Sequence, residues 1–192
     1  MESKKIILAS SSPRRIEIIK SKGIEPVIIP PEVDETIPPN MKPHHAVLFL
    51  ALKKALSVEN IAIKKGYNDS IVIAADTIVV YRDHILGKPQ SPEEAYEMLK
   101  ALKGNKHTVL TGVCILMPGT TTREVFYETT NVFFKEYADE EIMAYIKTPE
   151  PYDKAGGYGI QGTWGKHIDR IEGDYDNVVG FPWDRIEERL SI

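Results

Sequence analysis

Apolar and polar positions divide the chain into short elements. Lys5–Ala9 (KIILA) is an apolar run of strand length, and SPRRIEIIKSKG after it has the spacing of a helix. Ser12 is placed to cap that helix, Pro13 suits its first position and Gly23 supplies its stop. Ile24–Ile29 is predicted as a second strand, and PPEVDETIPPN as a proline-rich loop carrying three acids. A second helix is predicted around His44–Ser57, with an apolar stripe through Val47, Leu48, Leu52, Ala55 and Leu56. SIVIAADTIVVY is the most apolar strand, and a tight turn near Arg82–Asp83 returns it as the hairpin arm HILGKP. SPEEAYEMLKALKG is a fully punctuated helix. Ser91 and Glu94 form a capping box, Pro92 takes the first position, Gly104 closes it, and Ala95, Met98, Leu99 and Leu102 form its buried stripe. Two long strands, Thr108–Met117 and Arg123–Lys135, are joined by the turn PGTT. A short helix (DEEIMAYIKT), a Gly-rich loop (EPYDKAGGYGIQG), a short strand near Ile168–Ile171 and a helix from about Pro182 complete the order. Helices interleaved with strands and hairpins predict an α/β fold with a mixed sheet, not a doubly wound all-parallel one.

Composition narrows the function. A chain of 192 residues suits one large domain or two small lobes with a real core. Hydrophobic residues at 42% and charged residues at 27% are ordinary for a soluble globular protein. The net charge of -4 argues against a general nucleic-acid binder, whereas a local basic pocket on an acidic protein suits a small anionic ligand. The single cysteine, Cys114, lies in HTVLTGVCILM and reads as a small buried hydrophobe. With no disulfide available within the chain, a reducing compartment is expected. The N-terminal MESKK has no long apolar region, and no apolar run approaches the roughly 18 residues of a membrane span. The expectation is a cytoplasmic protein without membrane or nucleic-acid partners.

Five stretches could carry chemistry. ASSSPRR puts serine hydroxyls, Arg14 and Arg15 at a helix N-terminus, where free backbone N–H groups, hydroxyls and guanidinium forks all suit phosphate. A plain N-cap followed by two solvated arginines fits the same residues. Asp76 interrupts the apolar run IVIAADTIVV, so it requires a cation, a metal or a strand end open to ligand; a structural pairing with a neighbouring lysine meets the same need. Lys88 in ILGKP is a cation at a strand end. Asp153, Lys154 and Gln161 sit among four glycines, a density that suggests close backbone approach to a ligand. Asp34 and Glu35 in VDET occupy a proline-stiffened loop, where acids are commonly just solvated. GYGIQG fits the G-x-G-x-x-G pattern but has a polar loop before it and TWGKH after it, which argues against dinucleotide binding.

LASSSPRR, VDE, LALKKA, AADT, GKP, HTVLTGV, DKAGGYGIQG and GDYDNVVGFP stand in the order seen in the Maf family, nucleoside triphosphate pyrophosphatases once known as septum-formation inhibitors. The chain resembles that family from Ile7 to about Pro182, departing mildly at Ser10–Ser12 and at Phe181, where Leu is commoner. The resemblance implies a single Maf-like domain over residues 1–192, related to the inosine triphosphate pyrophosphatase fold, with a mixed sheet flanked by helices and two lobes around a cleft. It implies hydrolysis of a nucleoside triphosphate to the monophosphate and diphosphate with a divalent metal, Mg²⁺ or Mn²⁺. Asp76 takes the place of the proton acceptor. Arg14, Thr77 and Gln161 fall on the positions associated with substrate choice. Ser10, Arg14, Arg15, Lys54, Lys88 and Lys154 are the candidate triphosphate contacts, and Glu35 with Asp76 the candidate metal ligands. P-R-R, A-D-T and G-I-Q-G look like the subfamily acting on dTTP and UTP, with CTP and modified pyrimidine nucleotides as further substrates. The rival readings are a 7-methyl-GTP pyrophosphatase and a non-catalytic nucleotide-binding regulator of cell division. A homodimer is the family expectation.

Overall fold

The computed structural model of the chain describes residues 4–190, so the first three residues of MESKK lie outside it. In order the elements are β1 (Lys5–Ala9), α1 (Pro13–Ser21), β2 (Val27–Ile28), α2 (Pro43–Lys64), β3 (Ser70–Tyr81), β4 (His84–Leu86) and α3 (Pro92–Leu102). They are followed by β5 (Lys106–Leu116), β6 (Arg123–Phe134), α4 (Asp139–Tyr145), β7 (Ile168–Glu172), α5 (Tyr175–Val179) and α6 (Trp183–Leu190). The strands form one seven-stranded sheet in the order β2-β1-β3-β5-β6-β7, with β4 paired to β3. β1 is parallel to β2 (Ile7↔Val27) and to β3 (Lys5↔Ser70 through Ala9↔Ala74), whereas β3–β4 and β6–β7 are antiparallel. The sheet is therefore mixed, as the pattern predicts.

The described residues form two compact units: 4–76, 111–128 and 180–190 in the first, 77–110 and 129–179 in the second. In the first unit the core is made by Ile7 and Ala9 of β1, Val72 and Ala74 of β3, Cys114 and Leu116 of β5, and the small side chains of α2, Ala51, Ala55 and Ala62 among them. Helix α2 differs from expectation in two ways. It runs on to Lys64, because nothing between Val58 and Lys64 breaks a helix and the stop comes at Gly66 (φ 76°). Its buried face is also rotated, to Ala46, Val47, Leu50, Ala51, Lys54, Ala55, Val58, Glu59 and Ala62, while Leu56 of the expected stripe is 36% exposed. Close approach decides this orientation. A Cβ on Gly112 of β5 would stand 2.3 Å from the Val47 carbonyl oxygen, so the helix backbone rests directly on the strand. The second strand is shorter than expected, since Pro26 and Pro30 flank it and neither can donate to a ladder.

In the second unit, Arg82 (φ 48°) and Asp83 (φ 66°) both adopt the left-handed conformation that a tight two-residue hairpin needs. Ser91 caps α3 through the Glu94 N–H (3.2 Å), but the Glu94 carboxylate accepts from Gln90, one residue earlier than in a capping box (2.8 Å). The short helix α5 is an addition to the predicted order. It begins where the Asp174 carboxylate accepts the N–H groups of Asp176 and Asn177. The loop before GYGIQG contains 3-10 turns at Glu150–Asp153 and Ala155–Gly157, and another 3-10 turn, Thr163–His167, follows it. A strand-to-helix dinucleotide fingerprint is therefore not formed.

The core of this unit joins Ala95, Leu99 and Leu102 of α3 to Phe134, Tyr137, Tyr158 and Trp164. His107 is buried beside them, its Nε2 lying 2.5 Å from the Tyr158 hydroxyl and its ring edge-on to Tyr158. Burial pushes the imidazole down to about 3, against an ordinary 6.5. The unfolded chain then binds the extra proton between these values, so this group's contribution is full above pH 6.5 and is lost as pH falls towards 3. Urea unfolding of wild type is expected to weaken by up to about 1.4 kcal/mol per pH unit below that point on account of His107. His107→Phe flattens the slope between pH 7 and pH 5; an unchanged slope contradicts the assignment.

Candidate active site

Strand order alone marks one place for ligand in the first unit. β1 lies between β2 and β3 and is parallel to both, so the connections after β1 and β2 leave to opposite sides, and the carboxyl end of β1, beside the middle of β3, faces a switch point. The chain leaves β1 there as Ser10–Ser12 and enters α1. Asp76 lies on β3 two residues past the last pair with β1, at Ala74, and the strand runs on to Tyr81. Residues on one face of a strand alternate, so Asp76 extends the line of Val72 and Ala74 that packs beneath α2.

Asp76 is 6% exposed, and so is Lys54, which the rotated face of α2 brings over it. Lys54 Nζ donates to Asp76 Oδ1 at 2.6 Å and meets Glu35 Oε1 at 3.0 Å. The two adjacent lysines of LALKKA thus act on one loop: Lys53 donates to the Asp34 carbonyl while Lys54 holds the Glu35 carboxylate. Asp34 folds the loop locally by accepting the Thr36 N–H (2.9 Å) and hydroxyl (2.6 Å), bonds that hold its carboxyl below the usual range.

Ser10 is buried, and its Oγ accepts from the Ser12 N–H (3.1 Å) and from Arg15 Nη1 (3.4 Å). Arg15 Nε donates to the Gly180 carbonyl at 2.8 Å. Burial lowers the Arg15 guanidinium from its ordinary value; the Asp76 carboxylate opposes that, Arg14 adds to it, and Glu35 opposes it. Arg14, Arg15, Glu35 and Asp76 therefore share one electrostatic field. A guanidinium disfavoured by burial gains from any anion that reaches it.

The remaining candidates belong to the second unit. Thr77 is half-buried and Lys88 exposed, on the loop whose Gly87 carbonyl accepts the Gly156 N–H at 3.0 Å. Lys154 is folded back, its Nζ on the Glu150 carbonyl (2.8 Å) and the Asp153 carboxylate (2.6 Å). Gln161 is exposed. The glycines around it make room for the chain itself. A Cβ on Gly159 would lie 2.8 Å from Lys154 Cε, and one on Gly162 would lie 1.8 Å from Glu150 Oε1. The space beside Gly159 and Gly162 is taken here by the flexible ends of Lys154 and Glu150.

Glu35 and Asp76 offer hard oxygen donors to either side of one ammonium, and among the described residues no group of three or more His, Cys, Asp or Glu could hold a metal. That donor set fits a magnesium-type cation, which binds through one or two carboxylates and completes its shell with waters and substrate phosphates. One participant, and the burial of another, escaped sequence reasoning. The Gly180 carbonyl, which fixes Arg15, lies in GDYDNVVGFP, a motif with no chemical side chain at that point. The burial of Lys54 was foreshadowed by the four-residue spacing Ala46, Leu50, Lys54, Val58, Ala62.

The sequence model of the family described as Maf-like protein matches residues 5–191. The chain belongs to the Maf family. This Maf-like chain is 46% identical over 188 residues to a protein of Caldicellulosiruptor saccharolyticus, covering 98% of the chain and 94% of the relative. A protein of Geobacillus sp. (strain WCH70) is 50% identical over 182 residues, covering 95% and 94%, and one of Bacillus cereus (strain ATCC 10987 / NRS 248) is 48% identical over 188 residues, covering 98% and 89%. All three relatives are named dTTP/UTP pyrophosphatase. Among the described residues of this Maf-like chain, no helix is long and apolar enough to cross a membrane.

Removing one member of the Lys54–Asp76 pair leaves the other charge buried. Lys54→Met is expected to cost about 3 kcal/mol in urea unfolding, and Lys54→Met combined with Asp76→Asn to recover much of it. A single-variant loss below about 1 kcal/mol would mean that the pair behaves as a solvated one.

Proposed function

We propose that this chain is a nucleoside triphosphate pyrophosphatase that hydrolyses dTTP and UTP to the monophosphate and diphosphate. The observation that carries the reading is the buried Asp76 carboxylate at the β1–β3 switch point, held by Lys54 and in the field of Arg15. A carboxylate so confined has one face committed to a cation and is oriented to take a proton with the other. The printed names of the relatives support the substrate class, and G-I-Q-G supports a pyrimidine base.

Ser10, Arg14, Arg15 and Lys54 of the first unit bind and neutralise the triphosphate, joined by Lys88 and Lys154 of the second. Asp76 accepts a proton from the water that attacks the α-phosphorus, and the α–β anhydride breaks so that diphosphate leaves with the bond's electron pair. A divalent cation, held by Glu35 and Asp76, supplies charge neutralisation on the phosphates when bound. Gln161 presents an amide donor and an acceptor, matching the imide edge of uracil or thymine. Arg14 and Thr77 contribute to the same choice. The likeness to the inosine triphosphate pyrophosphatase fold with two lobes around a cleft, a single domain over 1–192, a homodimer and a cytoplasmic location belong to this proposal.

The test is diphosphate release from dTTP, UTP, CTP, GTP, ATP and 7-methyl-GTP, each with Mg²⁺ or Mn²⁺, by wild type and Asp76→Asn. Release from dTTP and UTP is expected to dominate and to fall about 100- to 10,000-fold in the variant. Preference for 7-methyl-GTP moves the chain to the sister subfamily. Tight binding without release from any nucleotide replaces the enzyme with a nucleotide-binding regulator.

A further inference from the structure

Gln161 sits at the exposed apex of a loop that is strapped at both ends by buried aromatic side chains of the second unit. At one end Tyr158 packs edge-on to Phe134, with ring centroids 4.8 Å apart, and its hydroxyl lies 2.5 Å from His107 Nε2. At the other end Trp164 stacks on Tyr145 at 4.6 Å. Between them the loop closes on itself. The Gly162 N–H donates to the Gly159 carbonyl and the Gly165 N–H to the Gly162 carbonyl, both at 3.1 Å. A Cβ on Gly165 would lie 2.2 Å from the Ile160 carbonyl oxygen, so the two backbone segments are in direct contact.

Within this loop, the Tyr158–His107 bond is a polar, directional tie to a strand of the sheet. His107 lies on β5 with little freedom to follow a moving loop, and its Nδ1 makes no hydrogen bond. Aromatic packing fixes the depth of Tyr158 but tolerates sliding of the ring; the hydrogen bond to an imidazole carried by the sheet restrains that sliding. Tyr158 is three residues from Gln161, too near for slack in one not to reach the other.

We propose that His107 is a positioning residue for base selection, acting through the Tyr158 hydroxyl to set where the Gln161 amide meets the base. The inference rests on the reading of Gln161 as the base-contacting residue. His107 touches no substrate in this account. It sets geometry, and a loosely held amide discriminates less well between hydrogen-bond patterns than a fixed one.

The experiment compares kcat/KM for UTP and CTP, which share a sugar and triphosphate but present opposite donor and acceptor patterns at the position of the imide edge. Tyr158→Phe removes only the hydroxyl and keeps the ring packing. It is expected to lower the UTP-to-CTP ratio about three- to tenfold, through KM for UTP more than through kcat. His107→Phe breaks the same bond from the other side and shifts the ratio in the same direction. In a Gln161→Glu background, where the amide donor is gone, Tyr158→Phe leaves the ratio unchanged. Thermal midpoints recorded in parallel separate position from stability. A lowered midpoint with an unchanged ratio in both Tyr158→Phe and His107→Phe overturns the inference, as does an equal shift in both Gln161 backgrounds. If Gln161→Glu alone leaves the ratio untouched, the base assignment falls and takes this inference with it.

Discussion

Burial of an ion pair is the constraint from which the first unit can be read. A carboxylate on the core-facing line of a parallel strand must be met by a cation, and that cation must come from the helix that covers the strand. Lys54 meets this need because α2 packs through small side chains. Ala51, Ala55 and Ala62, with Gly112 beneath Val47, bring the helix close enough for the ammonium to reach Asp76 with its stem buried. The same ammonium engages Glu35 and so ties the proline-rich loop to the sheet, while the half-buried Arg15, held by the Gly180 carbonyl, brings a second cation into the field. Burying Lys54 against Asp76, with the half-buried Arg15 and the exposed Glu35 beside them, is a poor way to gain stability. It is a good way to hold charges that a polyanion and a water can use.

The elements marked by strong punctuation were legible in the sequence. β1, β3 with its two-residue turn, and α3 with Ser91 and Pro92 lie where their patterns put them. The less legible features depend on a contact distant in sequence or on local signals outside hydrophobic periodicity. The face of α2 is chosen by Gly112, which lies about a hundred residues into the chain and 65 residues beyond Val47. The length of β2 is set by prolines that a periodicity reading passes over, and α5 by a capping aspartate in a motif otherwise without periodicity.

The candidate site shows the same division. Asp76 stood out because a charge in an apolar strand is conspicuous, and LALKKA pointed to cations on a helix. The sequence allows Asp76 a lysine partner but does not single out Lys54, which precedes it by 22 residues on a helical face outside the expected apolar stripe. Glycine density in DKAGGYGIQG says nothing of which side chains lie beside the glycines. The ends of the Lys154 and Glu150 side chains lie against Gly159 and Gly162, and the loop is anchored by its aromatic ends, Tyr158 and Trp164. Composition gave no hint of that, since aromatic residues are an unremarkable 8% of the chain.

The account places water, oriented by Asp76, on the α-phosphorus. Turnover of dTTP in ¹⁸O-labelled water tests that directly, with the products separated and weighed by mass spectrometry. The account predicts one heavy oxygen in each thymidine monophosphate and none in the diphosphate. Label in the diphosphate would put the attack on the β-phosphorus and contradict the assignment of Asp76 to the α-phosphorus.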